Sequence, residues 1–266
     1  MQEKSKGILL FAFNTDVVDY VKIADRCARL VHHTLGLPVT LVTDNNVVTE
    51  HIDQTILAEN TLNNRRAGYA GGTQWRNGNR YQAHELSPYD ETILLDTDYL
   101  ILDKSLLTML ESTIDYRLIH HNQNFKQSMS GNMGPVSLDF VWATAVCFKK
   151  TEKSKLLFEL VGRIQRNYRY YQQLYQLRER NFRNDYAFAI ANNILNGYVS
   201  DSSQRVPWNM LTIDQPVKRI ELQNNKLVIR EQEKAYIVPK QNIHIMDKDY
   251  LQSEQYIQLV DMLCQE

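Results

Sequence analysis

Cysteine is scarce in this sequence. Cys27, Cys147 and Cys264 are the three present, odd in number and far apart. Such a set makes neither a disulfide frame nor a zinc site, and it reads as reduced thiols in a reducing compartment. A charge excess is lacking too. With 30 Lys and Arg against 31 Asp and Glu the net charge is −1, so there is no global pull toward nucleic acid or an anionic membrane. Any basic surface has to be local. Long apolar runs are also missing: no stretch approaches the roughly 18 consecutive apolar residues of a membrane span. The apolar segment near the N terminus is too short for a signal peptide, and the expected location is the cytoplasm. No internal repeat, low-complexity tract or linker interrupts the 266 residues. One domain over 1–266 is expected, with ample length for a core.

What is present reads as alternating strands and helices. Gly7 to Phe13 is a continuous apolar run, as in a strand buried on both faces. From Asp16, apolar residues recur at helical spacing as far as Leu35, and Gly36 closes the helix. Pro38 to Thr43 repeats the buried-strand pattern, giving a βαβ opening with parallel strands. Residues 59–80 are polar and glycine-rich and predict a long functional loop. A helix is expected around Arg80 to Leu86, a third buried strand over Glu91 to Leu95, and another helix from Leu100. Residues 117–137 read as irregular. A strand over Val141 to Phe148, a long helix from Thr151 to about Arg180 and a helix over Asp185 to Leu195 follow. Residues 219–230 alternate around a polar turn, as a β-hairpin does. A short strand, Ile243 to Met246, and a final helix ending at Leu263 complete the chain.

Asp96-Thr97-Asp98 ends the third strand. A D-x-D triplet by itself carries little, since on the order of one arises by chance in a chain of this length. Its position at the carboxyl end of a buried strand is informative, because ligands bind at that edge of an open α/β sheet. Strand alternation would point both carboxylates the same way, into solvent, as a site for Mn²⁺ or Mg²⁺ against a diphosphate. The plain alternative makes Asp98 the cap of the next helix. Near the C terminus, His244 ends a short strand and Lys248 follows four residues later. Together they could supply a third metal ligand and a counter-charge for a diphosphate.

The βαβ opening, the run Pro88-Tyr89-Asp90-Glu91-Thr92-Ile93-Leu94-Leu95-Asp96-Thr97-Asp98 and the C-terminal His244 and Lys248 resemble GT-A glycosyltransferases. The similarity is to the glycogenin and lipopolysaccharide galactosyltransferase type. Most of the chain, including Trp75 to Arg80, Pro207-Trp208-Asn209 and the 219–230 hairpin, also resembles glycosyltransferase-like proteins of marine tailed phages. The resemblance implies a Rossmann-like α/β domain with a mixed, mainly parallel central sheet, helices on both faces and a C-terminal β-hairpin. Residues 1–100 would form the nucleotide-sugar half and 101–266 the acceptor half.

It further implies a UDP-sugar donor and a metal held by Asp96, Asp98 and His244, with Lys248 on the phosphates. This sequence has no glycine between His244 and Lys248, and its spacing is shorter than the family's H-x-x-G-x-x-K. The exit loop of the first strand (Phe13, Asn14, Thr15) would hold the nucleotide, with Tyr20 against the base and Asp44 on uracil or ribose. Arg80, and more weakly Arg76, would face the diphosphate. Asp185 would sit near the sugar and acceptor, where it could act as a base if the reaction inverts; the resembled enzymes retain configuration.

Residues 163–183 concentrate Arg163, Arg166, Arg169, Arg178, Arg180 and Arg183 against Glu179, interleaved with Tyr168, Tyr170, Tyr171, Tyr175 and Phe182. Arginines bind phosphates and aromatics stack on displaced bases. With the phage resemblance, this makes 5-hydroxymethylpyrimidine in DNA, extruded from the duplex, the leading expected acceptor, through Arg166, Arg169 and Arg178. The other reading is an amphipathic helix with core tyrosines and solvated arginines, serving a glycan or protein hydroxyl acceptor. A nucleotidyltransferase is disfavoured because Phe13-Asn14-Thr15-Asp16 lacks a glycine-rich basic phosphate loop. A non-catalytic nucleotide-sugar-binding module is disfavoured because the acidic pair and the histidine are all present.

Overall fold

In the computed structural model the described residues are 4–47, 49–59, 64–65, 74–75, 78–111, 113–125, 132–133, 138–178, 181–199, 202–231 and 234–265. Most of the 59–80 loop, with Arg76, and also Glu179 and Arg180, lies outside them. In chain order the main elements are β1 (Lys6–Phe11), α1 (Tyr20–Leu35), β2 (Val39–Thr43), β3 (Gln54–Leu57), α2 (Ala83–Leu86), β4 (Glu91–Leu95), β5 (Tyr99–Leu100), β6 (Tyr116–Ile119), β7 (Asn122–Gln123) and β8 (Trp142–Lys149). There follow α3 (Glu152–Arg166), α4 (Tyr168–Leu174), α5 (Asn184–Leu195), β9 (Met210–Ile213), β10 (Arg219–Gln223), β11 (Lys226–Arg230), β12 (Ala235–Pro239), β13 (Ile243–Ile245), α6 (Lys248–Gln252) and α7 (Glu254–Leu263).

A six-stranded sheet of order β3-β2-β1-β4-β8-β6 forms the centre. Its strands β1 to β4 are parallel, and β8 runs antiparallel to both neighbours. Successive side chains of a strand point to opposite faces. Ile8 and Leu10 therefore join Val31, Leu259 and Val260 in one core, while Leu9 and Phe11 join Phe158, Val161 and Phe188 in the other. Helices α1 and α7 thus cover one face and α3 and α5 the other. The apolar run of β1 is continuous because both faces are dry. This is the mixed, mainly parallel α/β architecture expected.

A second, four-stranded sheet of order β5-β13-β9-β7 assembles from segments distant in sequence. The expected hairpin is β10–β11, and β12 pairs with β11 as a third strand. Its two-residue turn, Asn224-Asn225, has φ of 49° and 59°, the doubly left-handed turn that matches strand twist and suits asparagine.

Several boundaries differ from the sequence expectation. Helix α1 starts at Tyr20, not Asp16: Asp19 caps it by accepting the Lys22 N–H, and Thr15 to Val18 closes a turn before it. The helix expected from Leu100 is instead strand β5 followed by a 3-10 turn over Ser105–Met109, because Leu100 pairs with Ile243. The stretch from 117 holds strand β6, which completes the central sheet. The long helix from Thr151 is broken at Asn167, whose side chain donates to the Arg163 carbonyl at 2.9 Å and competes with the helical ladder.

The Tyr89-Asp90 pair proves structural. Asp90 accepts the Ser5 N–H and hydroxyl at 2.9 and 2.8 Å, and the Tyr89 hydroxyl bonds Thr40 Oγ1 at 2.8 Å. The Tyr89 ring lies on Gly7, where an added Cβ would come within 2.3 Å of ring carbon Cζ. With the hydroxyl pinned to Thr40 the ring cannot simply retreat. Gly7→Ala should therefore cost roughly 1–3 kcal/mol by overpacking, read by urea unfolding, with the site at the opposite end of β4 unaffected.

Candidate functional site

Strand β4 ends at Leu95, so Asp96-Thr97-Asp98 is a turn into β5 and not part of the strand. The two carboxylates converge through that turn and not by strand alternation. Two backbone bonds fix it: the Asp96 N–H donates to the Thr144 carbonyl at 2.7 Å, and the Asp98 carbonyl accepts the Ile245 N–H at 2.9 Å. Pairing of Tyr99 with His244 then brings the imidazole in from β13. Ligand atoms of Asp96, Asp98 and His244 all lie within 4.8 Å of one another.

Nor are the carboxylates in open solvent, as the sequence reading had them. Their side chains are 20% and 11% exposed respectively. Two cations hold them, Arg80 buried and Lys248 half-buried. Arg80 Nη1 donates to Asp96 Oδ1 at 2.8 Å and to the Ala143 carbonyl at 2.6 Å, while Lys248 Nζ donates to Asp98 Oδ2. His244 Nε2 is 3.3 Å from that same oxygen. His244 Nδ1 lies 3.4 Å from Thr212 Oγ1, and its ring packs on Tyr99 with centroids 5.4 Å apart.

The electrostatics separate the two acids. Burial and the neighbouring Asp98 push Asp96 up to about 6, against the pull of Arg80. Burial would lift Asp98 as well, but Lys248 and His244 hold it well below the usual carboxylate range. Burial works against the Lys248 ammonium, yet Asp98 keeps its pKa above the ordinary value. Two carboxylates and an imidazole are a donor set for a divalent cation. Asp98 Oδ1, buried and without a hydrogen-bond partner among the described residues, is a ligand atom in waiting. The residues fit such an ion.

Arg80, Asp96, Asp98, His244 and Lys248 are therefore brought together, with Arg80 and Lys248 on the carboxylates themselves. Tyr20 is half-buried and close enough to act electrostatically on Lys248. Asp185 reaches the edge of the group: its Oδ1 accepts the Ala143 N–H at 3.0 Å, so the peptide strand that receives Arg80 also holds Asp185. Its Oδ2 accepts from Arg183 at 2.6 and 3.0 Å.

Other assignments fare differently. The Phe13 side chain is 4% exposed and packs near Phe11 in the core, which leaves only its backbone for a ligand. The Asn14 side chain accepts the Val21 N–H at 3.0 Å, and the Thr15 hydroxyl accepts the Val18 N–H at 3.1 Å. Both build the loop before α1. Asp44 is exposed just past β2, on the same sheet edge as the acidic turn, and accepts from the Asn45 side chain at 3.1 Å.

Tyr99, Ala143, Thr144 and Thr212 also shape the site, beyond the residues expected from the sequence. Only Tyr99 carried a signal, as the residue directly after the acidic pair. Of the arginine-rich segment, Tyr168, Tyr175 and Phe182 belong to the core. Tyr170 is 62% exposed, and Arg163, Arg166, Arg169 and Arg178 are exposed.

The fold and this cluster define a mixed α/β protein with a candidate cation centre at the carboxyl edge of its parallel strands. No protein-family model and no curated protein matches the chain. Among solved structures it is similar to the glycosyltransferase GlyE of Streptococcus pneumoniae TIGR4, at 10% identity and a TM-score of 0.44 over 78% of this chain and 45% of that one. It is similar also to the galactosyltransferase LgtC, solved with donor and acceptor sugar analogues, at 12% identity and a TM-score of 0.43 over 71% and 70% of the two chains. A third is mouse xyloside xylosyltransferase 1, at 10% identity and a TM-score of 0.42 over 73% and 83%. The chain spans less than half the length of the first of these. Among the described residues no helix is long and apolar enough to cross a membrane.

Proposed function

We propose that the protein is a divalent-metal-dependent glycosyltransferase of the GT-A type, moving a sugar from a nucleotide-sugar, with UDP-sugars foremost, to a hydroxyl acceptor. The carrying observation is the convergence of Asp96, Asp98 and His244 within 4.8 Å between the cations Arg80 and Lys248, at the sheet edge where ligands bind. Asp96, Asp98 and His244 hold Mn²⁺ or Mg²⁺ in this reading, and the ion supplies neutralising charge for the departing diphosphate. Arg80, whose Nε and Nη2 are buried and without hydrogen-bond partners among the described residues, adds positive charge for the diphosphate from behind Asp96. Lys248 adds a second positive charge. Tyr20 and Asp44 face the nucleoside, and backbone groups around Phe13 to Thr15 line its loop. Asp185 orients the sugar or accepts the acceptor proton.

The first test needs no acceptor. Slow hydrolysis across a panel of nucleotide-sugars should occur with Mn²⁺ and vanish with EDTA, and calorimetry should show UDP binding that depends on the metal. Equal UDP affinity in EDTA would remove the cation from the reaction; absence of hydrolysis for every donor would favour a non-catalytic binding module.

The acceptor in this reading is 5-hydroxymethylpyrimidine in DNA. Its support is the exposure of Arg166, Arg169 and Arg178 and of Tyr170 in one segment of the chain, although Tyr168, Tyr175 and Phe182 are taken by the core. Each phosphate neutralised releases condensed counterions, so acceptor binding should weaken steeply with salt while donor binding changes little. Replacing Arg169 and Arg178, which lie away from the Arg80 turn, with Gln should abolish transfer to hydroxymethylcytosine DNA and leave donor hydrolysis intact. If the unaltered protein does not modify such DNA, the acceptor is a glycan or protein hydroxyl.

A further inference from the structure

Arg80 is 2% exposed, and its Nη1 spans Asp96 and the Ala143 carbonyl. It rides on a single 3-10 turn, Gly78–Gln82, a kind of element with poor hydrogen-bond geometry and little rigidity of its own. Something outside the turn has to hold it, and α3 does so at two points. Gln165 Nε2 donates to the Gly78 carbonyl at 2.7 Å. Next to Arg80 in the chain, Tyr81 lays its ring directly on the backbone of Gly162. A Cβ at position 162 would stand 2.7 Å from Tyr81 Cδ2 and 3.1 Å from Cγ. Those are the atoms at the root of the ring, which move only if χ1 leaves its packed rotamer or the Tyr81 backbone shifts. The Arg166 guanidinium also lies over the ring, 5.9 Å from its centroid, with Nη1 3.3 Å from the same Cβ position.

Gly162 sits inside a 15-residue helix with a full capping box, where glycine is less favourable than alanine. Its conformation there is ordinary helix, so no left-handed angle requires glycine. The close approach of Tyr81 does.

We propose that Gly162 and Gln165 are positioning residues for Arg80: α3 seats Tyr81 and Gly78 and so sets the guanidinium that braces Asp96. This rests on the reading of the acidic cluster as a sugar-transfer centre, but the placement of Arg80 can be measured without any activity. Among the described residues the 3-10 turn alone links α3 to the guanidinium, so a displacement of a few tenths of an ångström at Tyr81 passes directly to Arg80. Misplacement on that scale is costly to a preorganised site.

The experiment compares the unaltered protein with Gly162→Ala, Tyr81→Ala, the Gly162→Ala/Tyr81→Ala double variant and Gln165→Leu. The Arg80 Nε–H resonance, assigned by its loss in Arg80→Lys, reports the guanidinium; circular dichroism reports the fold. Acceptor-free hydrolysis with Mn²⁺ gives kcat and KM. In Gly162→Ala the resonance should shift and exchange faster, and kcat should fall at least tenfold with KM for the donor changed less than threefold. The double variant should return both to the level of Tyr81→Ala alone, because the added methyl then meets no ring. If Gly162→Ala fails to fold, Gln165→Leu, which introduces no clash, should still shift the resonance and lower kcat.

An unmoved resonance in both Gly162→Ala and Gln165→Leu would overturn the proposal, as would a loss in Gly162→Ala that Tyr81→Ala does not relieve. Absence of hydrolysis by the unaltered protein would count against the transferase reading alone, since the resonance would still decide the positioning.

Discussion

Replacing Asp98 with asparagine should cut metal-dependent donor hydrolysis by on the order of 10²-fold or more and also lower the stability of the metal-free protein. The second effect is the less obvious. Asp98 is the residue on which Lys248 and His244 both converge, at one oxygen, and its own second oxygen has no hydrogen-bond partner among the described residues. Removing the charge leaves a largely buried ammonium without its counter-ion, a loss that costs more than the net worth of the pair. The Lys248 side chain is 23% exposed, so water compensates in part. Roughly 2 kcal/mol is expected, and a fall in Tm of about 4–8 °C for a chain of this size. Adding Lys248→Met to Asp98→Asn should recover much of the Tm and none of the hydrolysis. If both variants melt like the unaltered protein, the Asp98–Lys248 pair contributes nothing to the fold.

Acidification should destabilise the protein through His120, well before most carboxylates titrate. His120 follows β6 at 6% exposure, and its Nδ1 has no hydrogen-bond partner among the described residues. Burial depresses its pKa to about 4; Arg205 and His121 add to this, while Asp139 and the bond the ring donates to the Phe140 backbone oppose it. Unfolded, the ring takes up a proton near pH 6.5. Between about 6.5 and 4 the unfolded chain therefore binds more protons than the native one, and stability falls as pH falls. The contribution is complete above about 6.5 and is lost on descent through about 4, amounting to roughly 3 kcal/mol. Urea unfolding at several pH values should show it as a difference between the unaltered protein and His120→Gln that shrinks across that window. A constant difference would mean that His120 is hydrated in the native state.

Much of the site was legible in one dimension because two of its signals are local. The run Glu91 to Asp98 has to be a buried strand ending in acids, since five consecutive buried positions admit no polar alternation. The imidazole of His244 lies in an equally recognisable short strand. Helix α1 was legible from its apolar spacing and from Gly36, which takes a left-handed φ of 65°. Its start was not, because Asp16 and Asp19 are both plausible caps. The choice fell to Asp19, which accepts from Lys22 and whose own N–H is held by Gln252, a residue 233 positions away. The break at Asn167 and the strand character of Tyr99–Leu100 were hidden for a related reason. One depends on a single side-chain bond, and the other on a partner strand near the C terminus.

By itself the sequence determined the alternation of buried strands and amphipathic helices, hence the α/β class, and which residues bear charge at strand ends. Those properties follow from the periodicity of apolar residues, which is written locally. The tertiary structure alone decided that Asp96 and Asp98 converge in a turn, largely shielded from water, and that Arg80 and Lys248 neutralise them. It also decided that Tyr168, Tyr175 and Phe182 belong to the core while Tyr170 faces solvent. These outcomes depend on pairings between β5 and β13 and on packing of α3 against the turn of Arg80. Burial and pKa are set by such long-range neighbours, and no local pattern encodes them.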